Sequence, residues 1–210
     1  MDREVERAYS RTFKALKAGG LLLESDPRLP CVTQIIVGRR LRSSWWADPR
    51  TTLIYRVLQR LHKNSDVLAA KLVDGKVTLI HRKLWPAILR VATCREPWQR
   101  EGLSRTAKSL LDKVTKQGML ETNRLPRYAE NSQLIAQAAG ELERRLLVYG
   151  EGFHTNSGAH AKRLLTWGRW ARRMGLAPIA MTSEQAKTRL EDALNSLAGS
   201  ADAKKAPAVA

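Results

Sequence analysis

Apolar residues recur at helical spacing from residue 3 to 18 and stop at Gly19-Gly20, so the chain opens with a helix. "LLLE" follows as a short strand or the start of a buried turn. "SDPRLPCVTQIIVG" carries two prolines that set up a short helix or strand ending at Gly38. Asp48-Pro49 then opens a second long helix, a capping residue followed by proline. Its apolar stripe is Leu53, Ile54, Val57, Leu58 and Leu61, which leaves Arg56, Arg60 and Lys63 together on another face. Those three span about 11 Å along the axis at about 1.5 Å per residue. No acid lies between Arg50 and Lys63.

The period then changes. Val67 to Val73 and Val77 to Arg82 flank Asp74-Gly75, a strong hairpin signal. Lys71, Lys76, Arg82 and Lys83 line this hairpin, and its lysines read as exposed edge residues that contribute little to packing. Pro86 ends the hairpin, and a helix to about Cys94 follows. Ser104 to Gln117 forms another helix, with Ala107, Leu110, Leu111 and Val114 inward and Arg105, Lys108 and Lys116 outward. Gly118 closes it, and "MLET" reads as a short strand. Residues 129–148 and 158–174 read as two helices joined by "YGEGFHTNSGAH", and 183–197 as a last amphipathic helix. From Gly199 the small, polar, proline-containing tail predicts disorder. No repeat of fixed period is visible.

A helix, a basic-faced helix and then a tight basic hairpin is the element order of a winged-helix domain. The expected class is mainly α, with a winged-helix-like α+β core, a β-hairpin wing and a helical C-terminal half. The expected division is 1–125 for the basic domain, 126–198 for the helical region and 199–210 for the tail. The connection from Gly38 to Pro49 exceeds an ordinary helix-turn-helix turn, so the Trp-Arg stretch "RRLRSSWWADPR" is an insertion there. "GLSRTAKSLLDKVTKQGMLET" resembles the helix-then-strand part of a second such unit, without a clear wing after it.

Charge sharpens the picture. The chain has 37 basic and 20 acidic residues, a net +17, and residues 31–130 alone hold 20 and 8, for +12. Such a segment repels itself unless a polyanion is near, and nucleic acid is the commonest polyanion partner. A membrane surface would require a basic amphipathic helix with bulky apolar insertion, and no run of 18 apolar residues occurs. Cys31 and Cys94 lie far apart, without metal or redox spacing, and the N-terminus lacks an apolar leader core. These features predict a cytoplasmic protein, nucleoid-associated if DNA-bound, with no cofactor, no metal and no membrane partner.

"SSWWADPRTTLIY", "KLVDGKVTLIHRKLWPAIL" and "VYGEGFHTNSGAHAKRLLTW" resemble a group of bacterial proteins of this size, over about residues 20 to 175. The resemblance implies bacterial origin and one shared architecture, and it carries over no catalytic residue. The likeness to winged-helix proteins is one of element order, which bears on fold more than on function.

The candidate nucleic-acid contacts are Arg39, Arg40, Arg42, Trp45, Trp46, Arg50, Arg56, Arg60, Lys63, Lys71, Lys76, Arg82, Lys83, Arg105 and Lys108. Adjacent tryptophans point apart in strand and helix alike, so one indole of the pair is expected in the core. Trp85, Trp98, Trp167 and Trp170 read as packing residues. His62 and His81, beside basic residues, read as polyanion or surface contacts. "EGFHTNSGAHAK" is the densest cluster of reactive side chains, and Glu151, His154 and His160 are its catalytic candidates. Its spacing matches no standard zinc motif. Alternatively Asn156 or Ser157 caps a helix from Gly158 and the histidines hydrogen-bond locally. Phosphate-binding and serine-nucleophile motifs are absent. The reading is a DNA-binding protein in repair or gene regulation. The alternatives are a repair glycosylase or nuclease, and an RNA- or ribosome-associated protein.

Overall fold

The computed structural model describes residues 2–125, 132–155 and 158–202, side chains of 200–202 excepted. The chain forms two compact units, Met1–Ala87 with Glu184–Ala210, and Ile88–Ser183. The boundary expected near residue 126 lies inside the second of these. The first begins with α1 (Asp2–Gly19), β1 (Leu21–Leu23), α2 (Val32–Val37) and α3 (Thr51–Lys63). The hairpin β2 (Val67–Val73) and β3 (Lys76–His81) follows, then α4 (Trp85–Cys94) carries the chain onward. The second unit holds α5 (Pro97–Arg100), α6 (Arg105–Gln117), β4 (Met119–Glu121) and α7 (Ser132–Arg144). It ends with β5 (Tyr149–His154), β6 (His160–Leu165) and α8 (Trp167–Arg173), and α9 (Ser183–Asp202) returns to the first unit. The class is α+β, with two small antiparallel three-stranded sheets among the described residues. None of the described helices is long and apolar enough to cross a membrane.

The first core forms as the apolar spacing dictates. Ile54, Val57, Leu58 and Leu61 of α3 are buried with Val5, Ala8 and Leu16 of α1, and with Val32 and Ile36 of α2. Each valine, leucine or isoleucine among them, taken out of water, contributes about 1.5–3 kcal/mol. Asp74 (φ 49) and Gly75 (φ 69) both adopt the left-handed region a two-residue hairpin requires. Ala107, Leu110, Leu111 and Val114 of α6 line the second core.

Two parts of the C-terminal half differ from the sequence expectation. The helix expected over 158–174 is instead strand β6 followed by α8, and "YGEGFHTNSGAH" supplies β5 and the approach to β6. Ala161, Leu164 and Leu165 fit a helical stripe as well as a strand, and pairing with β4 and β5 decides the matter. Thr166 marks the change, since its hydroxyl accepts the Arg169 N–H at 3.3 Å and caps α8. Helix α9 continues to Asp202, four residues into the expected tail, and 203–210 lie outside the described residues.

The two units repeat one topology. Each runs helix, short strand, intervening segment, helix and hairpin, with strand orders β1-β3-β2 and β4-β6-β5. Gly20 (φ 87) and Gly118 (φ 74) turn helix into strand at matching points. The residue after or ending the third strand closes each sheet in the same way: His81 N–H donates to Gly20 O at 2.9 Å, and Thr166 N–H to Gly118 O at 3.0 Å. Gly20 to His81 is a longer span than Gly118 to Thr166, so no fixed period marks the repeat in sequence.

The hairpin cations prove to be structural. Asp26 is 3% exposed; its Oδ1 accepts the N–H groups of Arg28 and Leu29, each at 2.7 Å, and its Oδ2 accepts Lys76 Nζ at 2.5 Å. Burial alone would raise the Asp26 pKa, but the Lys76 ammonium and the two backbone donors outweigh it and hold the carboxyl below its ordinary value. Lys83 Nζ donates to the carbonyls of Lys17 and Ala18 at 2.9 and 2.7 Å, closing the C-terminus of α1. Lys76 and Lys83 are therefore not free edge lysines. His81 is buried and accepts the Lys83 N–H at 3.3 Å, and burial lowers its pKa.

Both shifts have the same sign for stability. A depressed histidine resists the protonation that the unfolded chain accepts below about pH 6.5, and a depressed aspartate does so below about pH 3.9. Stability should therefore fall in two limbs on acidification, read by circular-dichroism melts between pH 3 and 8. His81→Gln should flatten the upper limb and Asp26→Asn the lower. Lys76→Ala should cost about 1–3 kcal/mol at neutral pH, because it leaves a buried acceptor unpaired.

Candidate nucleic-acid interface

The α2–α3 connection is built to present aromatic rings. Gly38 (φ 81) ends α2 in the left-handed region, with its N–H on Gln34 O at 2.8 Å. Asp48, 8% exposed, anchors the far end of the loop. Its carboxylate accepts Arg39 Nη2 at 2.9 Å and the Arg50 N–H at 3.0 Å, so it shapes the approach to α3 from three residues ahead of Thr51. Arg50 Nη1 donates to Ile36 O at 2.8 Å, which ties the start of α3 to α2. Between these anchors Trp45–Ala47 forms a 3-10 turn, with the Trp46 N–H on Ser44 Oγ at 3.4 Å.

The two indoles stack on each other, with centroids 4.1 Å apart and planes 22° from parallel. Trp45 is half-buried and packs against the first core, while Trp46 is 63% exposed. Expecting one indole in the core was right for Trp45, but the rings share one stack instead of pointing apart. Tyr55 on α3 lies beside the pair, its ring tilted 43° to that of Trp46 with centroids 6.1 Å apart. It is exposed, and its hydroxyl accepts Gln59 Nε2 at 2.7 Å. Tyr55 was not singled out from the sequence, although an aromatic off the apolar stripe of α3 is the signal that would have found it.

The remaining predicted contacts divide by their partners. Arg42 is exposed, Arg40 is half-buried, and Arg39 keeps 65% of its side chain exposed while paired with Asp48. Arg56, Arg60 and Lys63 do lie together, lining a shallow cavity of about 280 Å³ with Asp2, Glu6 and Gln59. The acids missing from α3 come from α1: Arg60 Nη1 meets Glu6 Oε2 at 2.6 Å, and its guanidinium sits 4.4 Å above the Tyr9 ring. Lys76 and Lys83 are held as above, Arg82 pairs with Asp66 at 3.0 Å, and Lys71 is half-buried. His62 pairs with Glu24 at 2.5 Å and His81 is core, so neither is a free surface contact. Arg105 and Lys108 are exposed on the first turn of α6, in the second unit. Trp85, Trp167 and Trp170 are buried as expected, whereas Trp98 is 46% exposed and donates to Glu96 Oε2 at 2.8 Å.

The catalytic candidates lie on the β5–β6 hairpin. His154 and His160 are register partners with ring centroids 4.2 Å apart, both exposed. Strand alternation puts Glu151 on the opposite face from His154. There Glu151 accepts Arg173 Nη1 at 3.1 Å and also Arg173 Nη2, with Arg163 Nη1 at 3.9 Å. The hairpin thus divides the proposed trio between an ion pair and a ring pair. Asn156 and Ser157, the alternative helix caps, lie outside the described residues, and Gly158 precedes a strand instead of a helix.

The loop before α3 thus holds a stacked indole pair with Trp46 exposed, and Arg42 of the same loop is exposed as well. The family model described as "AlkZ related" matches residues 9–209, and the chain belongs to that family. Neither the curated proteins nor the solved structures contain a match.

The anchor and the presented ring should separate on mutation. Asp48→Ala strands the Arg50 N–H and frees Arg39, and should cost about 1–3 kcal/mol in thermal or urea unfolding. Trp46→Ala removes a mainly exposed side chain and should stay within about 0.5 kcal/mol of wild type.

Proposed function

We propose that the chain is a cytoplasmic DNA-binding protein of alkylation repair, and that each unit is a winged-helix module. The observation that carries this reading is the exposed Trp46 ring, stacked on Trp45 and beside Tyr55, in a loop that also exposes Arg42. Base–aromatic stacking contributes about 1–3 kcal/mol per base and is available only to a base that has left its own stack. Damaged bases leave the duplex at least cost, so such a surface favours lesions over intact pairs. The family's name points the same way, toward alkylated DNA. Helix, strand, helix and hairpin with the strand order β1-β3-β2 support the winged-helix assignment, in which α3 is the groove-facing helix and β2–β3 the wing. In this reading Arg42, Arg56 and Lys63 neutralise phosphates, while Lys76, Lys83 and Arg50 hold the fold.

Fluorescence anisotropy on a labelled duplex, intact or carrying one unpaired base, tests the reading. Wild type should bind both with a salt slope of about −0.9 per neutralised phosphate, and should prefer the unpaired base. Trp46→Ala should abolish that preference, a loss of roughly 5- to 150-fold on the unpaired-base duplex at about 1–3 kcal/mol per stack. Salt-insensitive binding, or a preference untouched by Trp46→Ala, sinks the proposal.

A further inference from the structure

The second unit carries a basic surface that the nucleic-acid candidates above do not include. Met119 of β4 and Leu165 of β6 are register partners and form the floor of an open cavity of about 570 Å³. Its walls are Arg163, Arg169, Arg172 and Arg173. Four guanidinium groups around one concavity repel one another unless anions are supplied.

The protein supplies some, and unevenly. Arg163 donates to Glu121 Oε1 through Nε at 3.1 Å and Nη2 at 2.8 Å, and its guanidinium lies 5.4 Å from the Phe153 ring centroid. Arg173 is clamped by Glu151. Arg169 and Arg172 are exposed and meet no carboxylate among the described residues. They lie three positions apart on α8, so they share one face of the helix. Two clamped arginines therefore fix the shape of the cavity, and two unclamped ones face its solvent side.

We propose that this cavity binds the phosphodiester backbone of DNA, with Arg169 and Arg172 each neutralising a phosphate. Arginine suits the task because its planar fork matches two phosphate oxygens at once. Arg163 and Arg173 are positioning residues, neutralised by Glu121 and Glu151, that hold the walls of the cavity in place. The apolar floor of Met119 and Leu165 accepts the sugar between two phosphates, and the volume exceeds what a single inorganic phosphate would fill. The second unit then contributes backbone contacts of its own, independent of the aromatic stack in the first. This rests on the DNA-binding reading above.

The test uses the full chain and one labelled 20-base-pair duplex carrying a single unpaired base, titrated by anisotropy at several salt concentrations. Arg169→Ala with Arg172→Ala should reduce the magnitude of the salt slope by about 1.8, at about 0.9 per phosphate. Extrapolated from 1 M, those two contacts correspond to a loss of about 60-fold at 0.1 M salt. Arg169→Lys with Arg172→Lys should keep the slope and lose only part of the affinity, which separates phosphate neutralisation from damage to the fold. Wild-type slope and affinity in the alanine pair, with Trp46→Ala still defective, would overturn this site and leave the first unit's role standing. A wild-type chain that does not bind the duplex overturns both.

Discussion

The burial of Asp26 against Lys76 is the interaction on which the first unit depends. A carboxylate that deep is tolerated only with its lone pairs occupied, and two backbone N–H groups and an ammonium occupy them. The same rule extends through the molecule because acids are scarce, 20 against 37 basic residues. They stand where a loop must be fixed to an element: Asp48 before α3, Asp66 before β2, Glu121 on β4 and Glu143 beneath β5. Each neutralises a cation and removes it from the pool available to a ligand. The excess charge is thereby sorted by structure, and exposed Arg42, Lys63, Arg169 and Arg172 are left facing solvent.

That sorting explains what the sequence disclosed and what it hid. The α3 stripe, the Asp74-Gly75 hairpin and the inward face of α6 follow from local periodicity and turn chemistry, so they were legible. The partners of the cations were not. Glu6 with Arg60, Asp26 with Lys76 and Glu24 with His62 join positions brought together only by the tertiary fold. An acid-free helix face therefore read as a free basic stripe, although Glu6, which pairs with Arg60, sits on α1. The Trp45–Trp46 stack was hidden for another reason. Alternation holds for strands and helices, whereas an isolated three-residue 3-10 turn allows side-chain torsions to bring neighbouring rings together.

The repeat was hidden by its connections. Its landmarks are a left-handed glycine after a helix and a backbone bond from the end of the third strand to that glycine's carbonyl. Both are conformational, and one glycine in each unit carries too little information to reveal the match. The segment between β1 and α3, which carries the Trp turn, runs over residues 24–50, whereas that between β4 and α7 spans only 122–131. Gly150 shows how tightly the second sheet sits on its helix. A Cβ there would lie 2.0 Å from Glu143 Oε1, so any side chain would displace the carboxylate that holds Lys162 at 2.5 Å.

Shared topology does not mean shared surface. Helix α3 presents Tyr55, Gln59, Arg60 and Lys63 outward, whereas the matching α7 exposes Ser132, Leu134, Ala136 and Gln137 and keeps its one basic residue, Arg144, for the last turn. A basic residue in a last turn complements the helix dipole and says little about a ligand. If both units served DNA through their matching helices, α7 would need cations along its length. It has none before Arg144, and the second unit's cations lie on α6, β6 and α8 instead. A module of this topology can thus retain its packing while moving its charged face from one helix to another, because the core residues and the surface residues occupy different faces and are chosen by different physics.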